Sequence, residues 1–380
     1  MDKIKYLIYI LLLLAIEFQT YAQGNSRLLS GTSSCSTILF NHADSLFVGH
    51  NLDESYEVPG LVIVNPRGVS KREVSAADFD TTLSKSKIQW KSKYGSIVYS
   101  SLGKEFIDGG MNEAGLYIGE MSLADTRYIN DSNLIKMTVL TWMQYLLDNF
   151  ERVNEVINDL SHVTVDGPNL WHFFISDKTG DAAIIEFIDG DLIVYRKDEM
   201  PVLALCNTSY HEELKRLQEY AKYGGNKKLD LTIEGNDMRF LFAEVMLNDN
   251  SMTKNVEDSV DYTFKILKQL SGNSNKWSIV YDLKRMRMYF NTNNARQIRT
   301  VDFSAFDFSE KSSVMVLDIR RNLEGNVSEY FTEFNDSIND EFIDKTIKAC
   351  HYIDHKDKNG VSSIFSNFSK EIVIHEKTDK

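Results

Sequence analysis

The chain has 380 residues, 43% of them hydrophobic and 11% aromatic, which is enough apolar material for a large buried core. Its formal net charge of −13 repels phosphate backbones and argues against nucleic acid as a partner; spread along the chain, the acidity serves solubility, and no Lys/Arg-rich helix marks a membrane-surface binder. Three cysteines exclude a disulfide-dense scaffold, and the eight histidines, scattered apart from His351 and His355 beside Cys350, are not read as a site for a metal or other cofactor.

Along the chain, Lys3 and Lys5 precede the apolar run Tyr6 to Ile16, and Thr20-Tyr21-Ala22 supplies small residues where a signal peptidase reads. The run is shorter than the ~20 residues a membrane span needs. Residues 1–22 are therefore expected to be a signal peptide of an exported protein, periplasmic or extracellular, without an integral membrane anchor. A polar stretch, Gln23 to Ser34, follows. Ser36 to Phe40 and Ser45 to Asn51 then read as strands joined by the turn residues Asn41 to Asp44, a hairpin beginning at Cys35. Leu61 to Asn65, Gly95 to Ser101 and Gly115 to Ser122 read as further strands.

Leu134, Met137, Leu140 and Leu147 lie at helical spacing, which predicts a helix over Leu134 to Leu147. Asn149 is placed to cap a second, Glu151 to Leu160. Strands are expected at Trp171 to Ser176, Ala182 to Phe187, Asp191 to Tyr195 and Val202 to Cys206, with Asp189-Gly190 as a hairpin turn. Helical patterns return at His211 to Tyr220, Asp237 to Leu247 and Val256 to Leu270. Trp277 to Tyr281, Arg287 to Asn291 and Ile298 to Phe303 read as a closing meander. Strands at both ends with helices between them give an α+β fold. With four Pro and no linker-like tract, residues 35–380 read as a single domain.

An odd number of cysteines in an exported protein leaves at least one thiol unpaired or reactive. Cys35-Ser36-Thr37, followed by Gly49-His50-Asn51-Leu52-Asp53 and Gly60-Leu61-Val62-Ile63-Val64-Asn65, resembles the N-terminal region of the choloylglycine hydrolase and penicillin V acylase family. Those proteins, once processed, begin with Cys and carry a Gly-Arg-Asn-hydrophobe-Asp hairpin. Asp108-Gly109-Gly110-Met111-Asn112-Glu113-Ala114-Gly115-Leu116 is similar to the family's Gly-Met-Asn-Glu-x-Gly-Leu segment. Trp171 to Asp177 with Thr179-Gly180 and Glu186, Asn207-Thr208-Ser209, Met238-Arg239-Phe240 and Trp277 to Thr292 continue the match in order. It runs from about residue 35 to 305; residues 311–380 are not covered by it.

The resemblance implies a four-layer αββα N-terminal-nucleophile hydrolase sandwich, with two antiparallel sheets between helix layers. It also implies cleavage of the C–N bond of a linear, non-peptide acyl amide of small-molecule size. Cys35 would be the nucleophile, exposed as the N-terminus by removal of a propeptide, residues 23–34. Its α-amine, of unperturbed pKa about 7.7–8.0, would serve as base. Asp53 would orient that amine, Arg239 would stand behind the pair, and Asn207 would donate to the oxyanion. Two positions depart from the family pattern. His50 stands where Arg is usual, exchanging a permanent cation for a titrating one expected to line the pocket. Ser122 falls where bile-salt-cleaving members have a second oxyanion-side Asn. An acyltransferase passing the acyl group to an amine, and a non-catalytic exported binding protein, are the alternatives.

Overall fold

The computed structural model describes residues 35–372, apart from 43, 76–77, 79–85, 87, 132, 168, 231–237, 250–254, 351–352, 354 and 356; the expected signal peptide and propeptide lie outside the described residues. Two sheets stack face to face. The smaller has seven strands in the order β14 (Ala204–Leu205), β1 (Ser36–His42), β2 (Ser45–Asp53), β15 (Asn275–Asp282), β16 (Arg287–Thr292), β17 (Ala295–Asp302) and β19 (Gly325–Asn326). The larger has nine: β13 (Asp191–Arg196), β12 (Ala182–Ile188), β11 (Trp171–Asp177), β8 (Leu116–Ser122), β7 (Gly109–Asn112), β6 (Ser96–Ser100), β3 (Leu61–Asn65), β18 (Met315–Asp318) and β20 (Thr332–Glu333). Pairing within both is antiparallel except between β17 and β19. Two ribbons flank them: β4 (Ser70–Arg72) with β5 (Gln89–Lys91), and β9 (Ile135–Thr138) with β10 (Val163–Asp166).

The helices divide into two outer layers, which completes a four-layer αββα sandwich. Helices α3 (Tyr210–Leu217), α4 (Arg239–Leu247) and α5 (Val256–Leu270) cover the seven-stranded sheet, sharing one core with both sheets' facing surfaces. Helices α1 (Val139–Asn149), α2 (Val153–Asp159), α6 (Asp336–Ala349) and α7 (Lys358–Glu371) enclose a second core against the outer face of the nine-stranded sheet. Strand alternation decides which side chain joins which layer. On β2, the Asn51 amide donates to the Leu267 carbonyl of α5 at 2.7 Å, whereas the neighbouring His50 ring lies 5.4 Å from Tyr99 of the opposite sheet.

Three tyrosines lie within the apolar core between the sheets. Tyr281 of β15 donates to the Ile97 carbonyl of β6 at 2.9 Å, tying one sheet to the other, and packs against Tyr99 and Tyr117. Room for these rings comes from Gly109 and Gly119, directly paired across β7 and β8. A Cβ at Gly109 would lie 2.2 Å from the Tyr99 hydroxyl, and one at Gly119 2.5 Å from that of Tyr117.

Two differences from the sequence expectations have physical causes. The helix expected over Leu134 to Leu147 begins at Val139, because Ile135–Thr138 pairs in parallel with Val163–Asp166. Long-range pairing outweighs the helical spacing of Leu134 and Met137. Asn149 ends α1 instead of capping α2, and its amide donates to the Tyr145 carbonyl at 2.8 Å. The start of α2 is held by Glu155, which accepts from the Arg152 backbone N–H at 3.2 Å. Residues past 310 also join the fold: β18 inserts beside β3, and Phe365 and Phe368 of α7 pack on Phe106.

Gly109→Ala should destabilise the protein by about 1–3 kcal/mol through overpacking, read as a lower midpoint of urea unfolding. An unchanged midpoint would show that the tyrosine hydroxyls can give way.

Candidate active site

Cys35 immediately precedes β1 and is 3% exposed. Its neighbours follow from register. Thr37 pairs with Leu205 and Ile38 with Ala204, so continuing β1 against the end of β14 brings Asn207 opposite Cys35. Ser36 pairs with Asn51, which brings the end of β2, and with it the fully buried Asp53, alongside. Arg239, the first residue of α4 and itself buried, reaches in from the helix layer. Its guanidinium donates through Nη1 to the Cys35 carbonyl at 2.7 Å and through Nη2 to the Asn207 Oδ1 at 3.2 Å. The Asn207 Nδ2 donates in turn to the Ser122 carbonyl at 2.9 Å. Residues 35, 53, 122, 207 and 239 are thus assembled at one place.

Burial dominates the electrostatics. It pushes the Cys35 thiol well above its ordinary value, and the buried Glu120 carboxyl adds to the rise; a hydrogen bond from the Asp53 backbone opposes both. The thiol is consequently neutral near pH 7 and becomes a nucleophile only if a base takes its proton. Burial pushes the Asp53 carboxyl up to about 7, against the pull of the Arg239 charge, the Gly272 backbone N–H (3.1 Å from Oδ1) and the Asn275 side chain.

The remaining site candidates, His50 and Ser122, behave differently from the expectation. His50 is not a titrating cation lining a pocket. It is 1% exposed between the sheets, its Nδ1 is 2.9 Å from the Thr37 hydroxyl, and Nε2 has no hydrogen-bond partner among the described residues. Burial pushes its pKa down to about 3, so the ring is neutral near pH 7, where an Arg would be charged. Ser122 takes part through its main-chain carbonyl, which accepts from Asn207. Asn112 is a turn former: Oδ1 accepts from the backbone N–H groups of Ala114 and Leu116, and Nδ2 donates to the carbonyls of Leu147 and Phe150. Sequence reasoning did not single out Glu120, whose signal was a carboxylate inside the otherwise uncharged strand Leu116–Ser122. Among the described residues no group of three or more His, Cys, Asp and Glu could hold a metal ion.

This geometry can be set beside known proteins. The family model of linear amide C–N hydrolases, the choloylglycine hydrolase family, matches residues 35–317. The chain belongs to that family. The match begins at the cysteine around which Asp53, Asn207 and Arg239 gather. Penicillin V acylase from Pectobacterium atrosepticum is 27% identical over 276 residues, covering 62% of this chain and 73% of that protein. Among solved structures, penicillin V acylase from Agrobacterium tumefaciens superposes with a TM-score of 0.68 at 23% identity, covering 79% of this chain and 98% of the other. A variant of the conjugated bile acid hydrolase from Clostridium perfringens gives 0.61 at 17% identity, covering 76% and 98%. The structural likenesses establish the shared hydrolase fold, and the family match establishes an amide hydrolase.

A neutral, buried His50 should leave no imprint on the pH dependence of turnover. The kcat/KM profiles of wild type and His50→Gln should have the same shape between about pH 5 and 8, where an unperturbed imidazole titrates. A limb near 6.5 lost in the variant would restore a titrating role.

Proposed function

We propose that the protein hydrolyses a linear amide, R–CO–NH–R′, through an S-acyl intermediate on Cys35, after export and removal of residues 1–34 have made Cys35 the N-terminal residue. The observation that carries this reading is the convergence of Asp53, Asn207 and Arg239 on the cysteine at which the family match begins. A neutral buried thiol requires a base, and His50, nearby in the sheet, is a weak one, because burial lowers its proton affinity and its Nδ1 is engaged by Thr37. The α-amine released by cleavage before Cys35 meets that need, because its unperturbed pKa of about 7.7–8.0 lets it exchange a proton near neutrality. Whenever that amine is protonated, Asp53 has a cationic partner in addition to Arg239, which draws its carboxyl down from about 7.

The chemistry follows in order. The amine takes the thiol proton and the sulfur attacks the carbonyl carbon. The oxyanion faces the second N–H of the Asn207 amide, the first being held by the Ser122 carbonyl. Collapse breaks the C–N bond, with the ammonium giving its proton to the departing nitrogen, which leaves as R′–NH₂, and water then hydrolyses the thioester to the acid. Arg239 holds the Cys35 carbonyl and the Asn207 amide oxygen, so its part is to fix nucleophile and oxyanion donor relative to one another. The relatives named for penicillin V and conjugated bile acids supply the first substrates to try, together with fatty-acyl amides.

N-terminal sequencing of active protein should return Cys35, and intact mass should match loss of residues 1–34; active protein beginning at Gln23 would overturn the mechanism. Cys35→Ala should abolish turnover of the acyl-amide panel, while Cys206→Ala and Cys350→Ala should retain most of it.

The acid limb of activity should come from two groups that must both be deprotonated, the Asp53 carboxyl and the Cys35 amine. Because burial raises Asp53, its carboxylate is lost as pH falls through the range between ordinary carboxyl values and about 7. A kcat/KM independent of pH from about 5 to 9 would contradict this assignment. Asp53→Asn should lower kcat and alter that limb.

A further inference from the structure

The turn that carries Asn207 is docked onto the nine-stranded sheet at two points. One is the bond from the Asn207 Nδ2 to the Ser122 carbonyl on β8. The other lies three residues on, where α3 begins. Its N-cap, Ser209, makes no side-chain capping hydrogen bond. The Tyr210 backbone N–H donates instead to the Glu186 Oε1 of β12 at 2.9 Å. A carboxylate at the start of a helix is favoured by the helix dipole and satisfies an otherwise orphaned N–H, but here it comes from 24 residues upstream. The same oxygen lies 2.8 Å from the His172 Nδ1 on the adjacent strand β11. Both side chains are fully buried, so the pair is a rigid post and not a solvated contact. Tyr210 is pinned a second time, its hydroxyl donating to the Val202 carbonyl at 2.8 Å and accepting from the Val202 N–H at 3.1 Å.

These strands are also those that supply the other docking point. Trp171, next to His172, pairs with Ser122, and His172 pairs with Met121. The Ser122 carbonyl and the Glu186 carboxylate are therefore set by the same three-strand register of β8, β11 and β12, and the Asn207 turn spans between them. We infer that Glu186, oriented by His172, is a positioning residue for the reaction: it fixes where α3 starts, and so where the Asn207 amide points relative to Cys35. Glu186 touches no reacting atom; it acts through the chain between Tyr210 and Asn207. The inference rests on the reading of Asn207 as the oxyanion donor.

The test is a double-mutant cycle between Glu186→Ala and Asn207→Ala, measured on the acyl amide turned over fastest in the panel above. Asn207→Ala should lower kcat by roughly 10²–10³-fold. Glu186→Ala should lower kcat by about 10- to 100-fold, as a misplaced catalytic group does, with KM little changed. Glu186→Gln, whose amide oxygen can still accept both N–H groups, should stay within about threefold of wild type, which a requirement for the charge itself would not permit. The double variant should be no more than about twofold slower than Asn207→Ala alone, because the post has nothing left to position. Multiplying effects in the double variant, or a Glu186→Ala protein that loses thermal stability while keeping its kcat, would overturn the positioning role. Should Glu186→Ala not fold, Glu186→Asp, which withdraws the acceptor by one methylene, takes its place with the same criteria. If Asn207→Ala alone left kcat unchanged, the oxyanion assignment would fall, and the cycle separates that outcome from failure of Glu186.

Discussion

One guanidinium holds the site together. Arg239 donates to the Cys35 carbonyl and to the Asn207 side chain, and its charge pulls on the Asp53 carboxyl, so four segments of chain as far apart as residues 35 and 239 meet around a single planar fork. Arg suits the task because its donors are fixed in geometry and its charge persists at any working pH. The two acceptors it binds are neutral, a main-chain carbonyl and an amide oxygen. The cation therefore orients Cys35 and Asn207 without making a close salt bridge to either. Removing it would leave the Cys35 carbonyl and the Asn207 amide oxygen to find other partners, and the strand ends they sit on would move with them.

Burial supplies the second constraint. Cys35 and Asp53 are both taken out of water, and in both cases desolvation is the largest influence on protonation, favouring the neutral form. A site in this state stores its reactivity: the thiol is inert until a base stands beside it, and the raised carboxyl answers to any cation placed nearby. That is the state the proposed mechanism requires, in which the base comes from cleavage of the chain before Cys35. His50 shows the same physics at a position where the family pattern has a permanent cation. A ring buried against Tyr99, and bonded to Thr37, is kept uncharged, so the space between the sheets holds tyrosines and an imidazole and no counter-charge is required.

The arrangement of the site was legible in the sequence where local pattern and chemistry coincide. The hairpin from Cys35 to Asp53, the strand carrying Ser122, and the Asn207 and Arg239 segments could be read because strand alternation, turn residues and family motifs all point the same way. What escaped was set at a distance. The strand at Ile135–Thr138 looks helical until Val163–Asp166 is brought beside it. The start of α3 has a suitable Ser in sequence, yet it is capped by Glu186 across the sheet. The chain beyond residue 310 offered no motif, because its role is to pack α6 and α7 over an existing core, which asks only for well-spaced apolar residues.

By itself, then, the sequence determined the class of fold, the residues that meet at the site and the family, since these follow from periodicity, turn chemistry and short ordered motifs. Only the tertiary structure decided the charge state and the part each residue plays. Protonation depends on burial and on neighbours dozens to hundreds of residues away, which is why His50 became a neutral core ring and Ser122 a main-chain acceptor. Registers between strands distant in sequence brought Asn207 opposite Cys35 and Glu186 beneath α3, and no local pattern of residues encodes those registers.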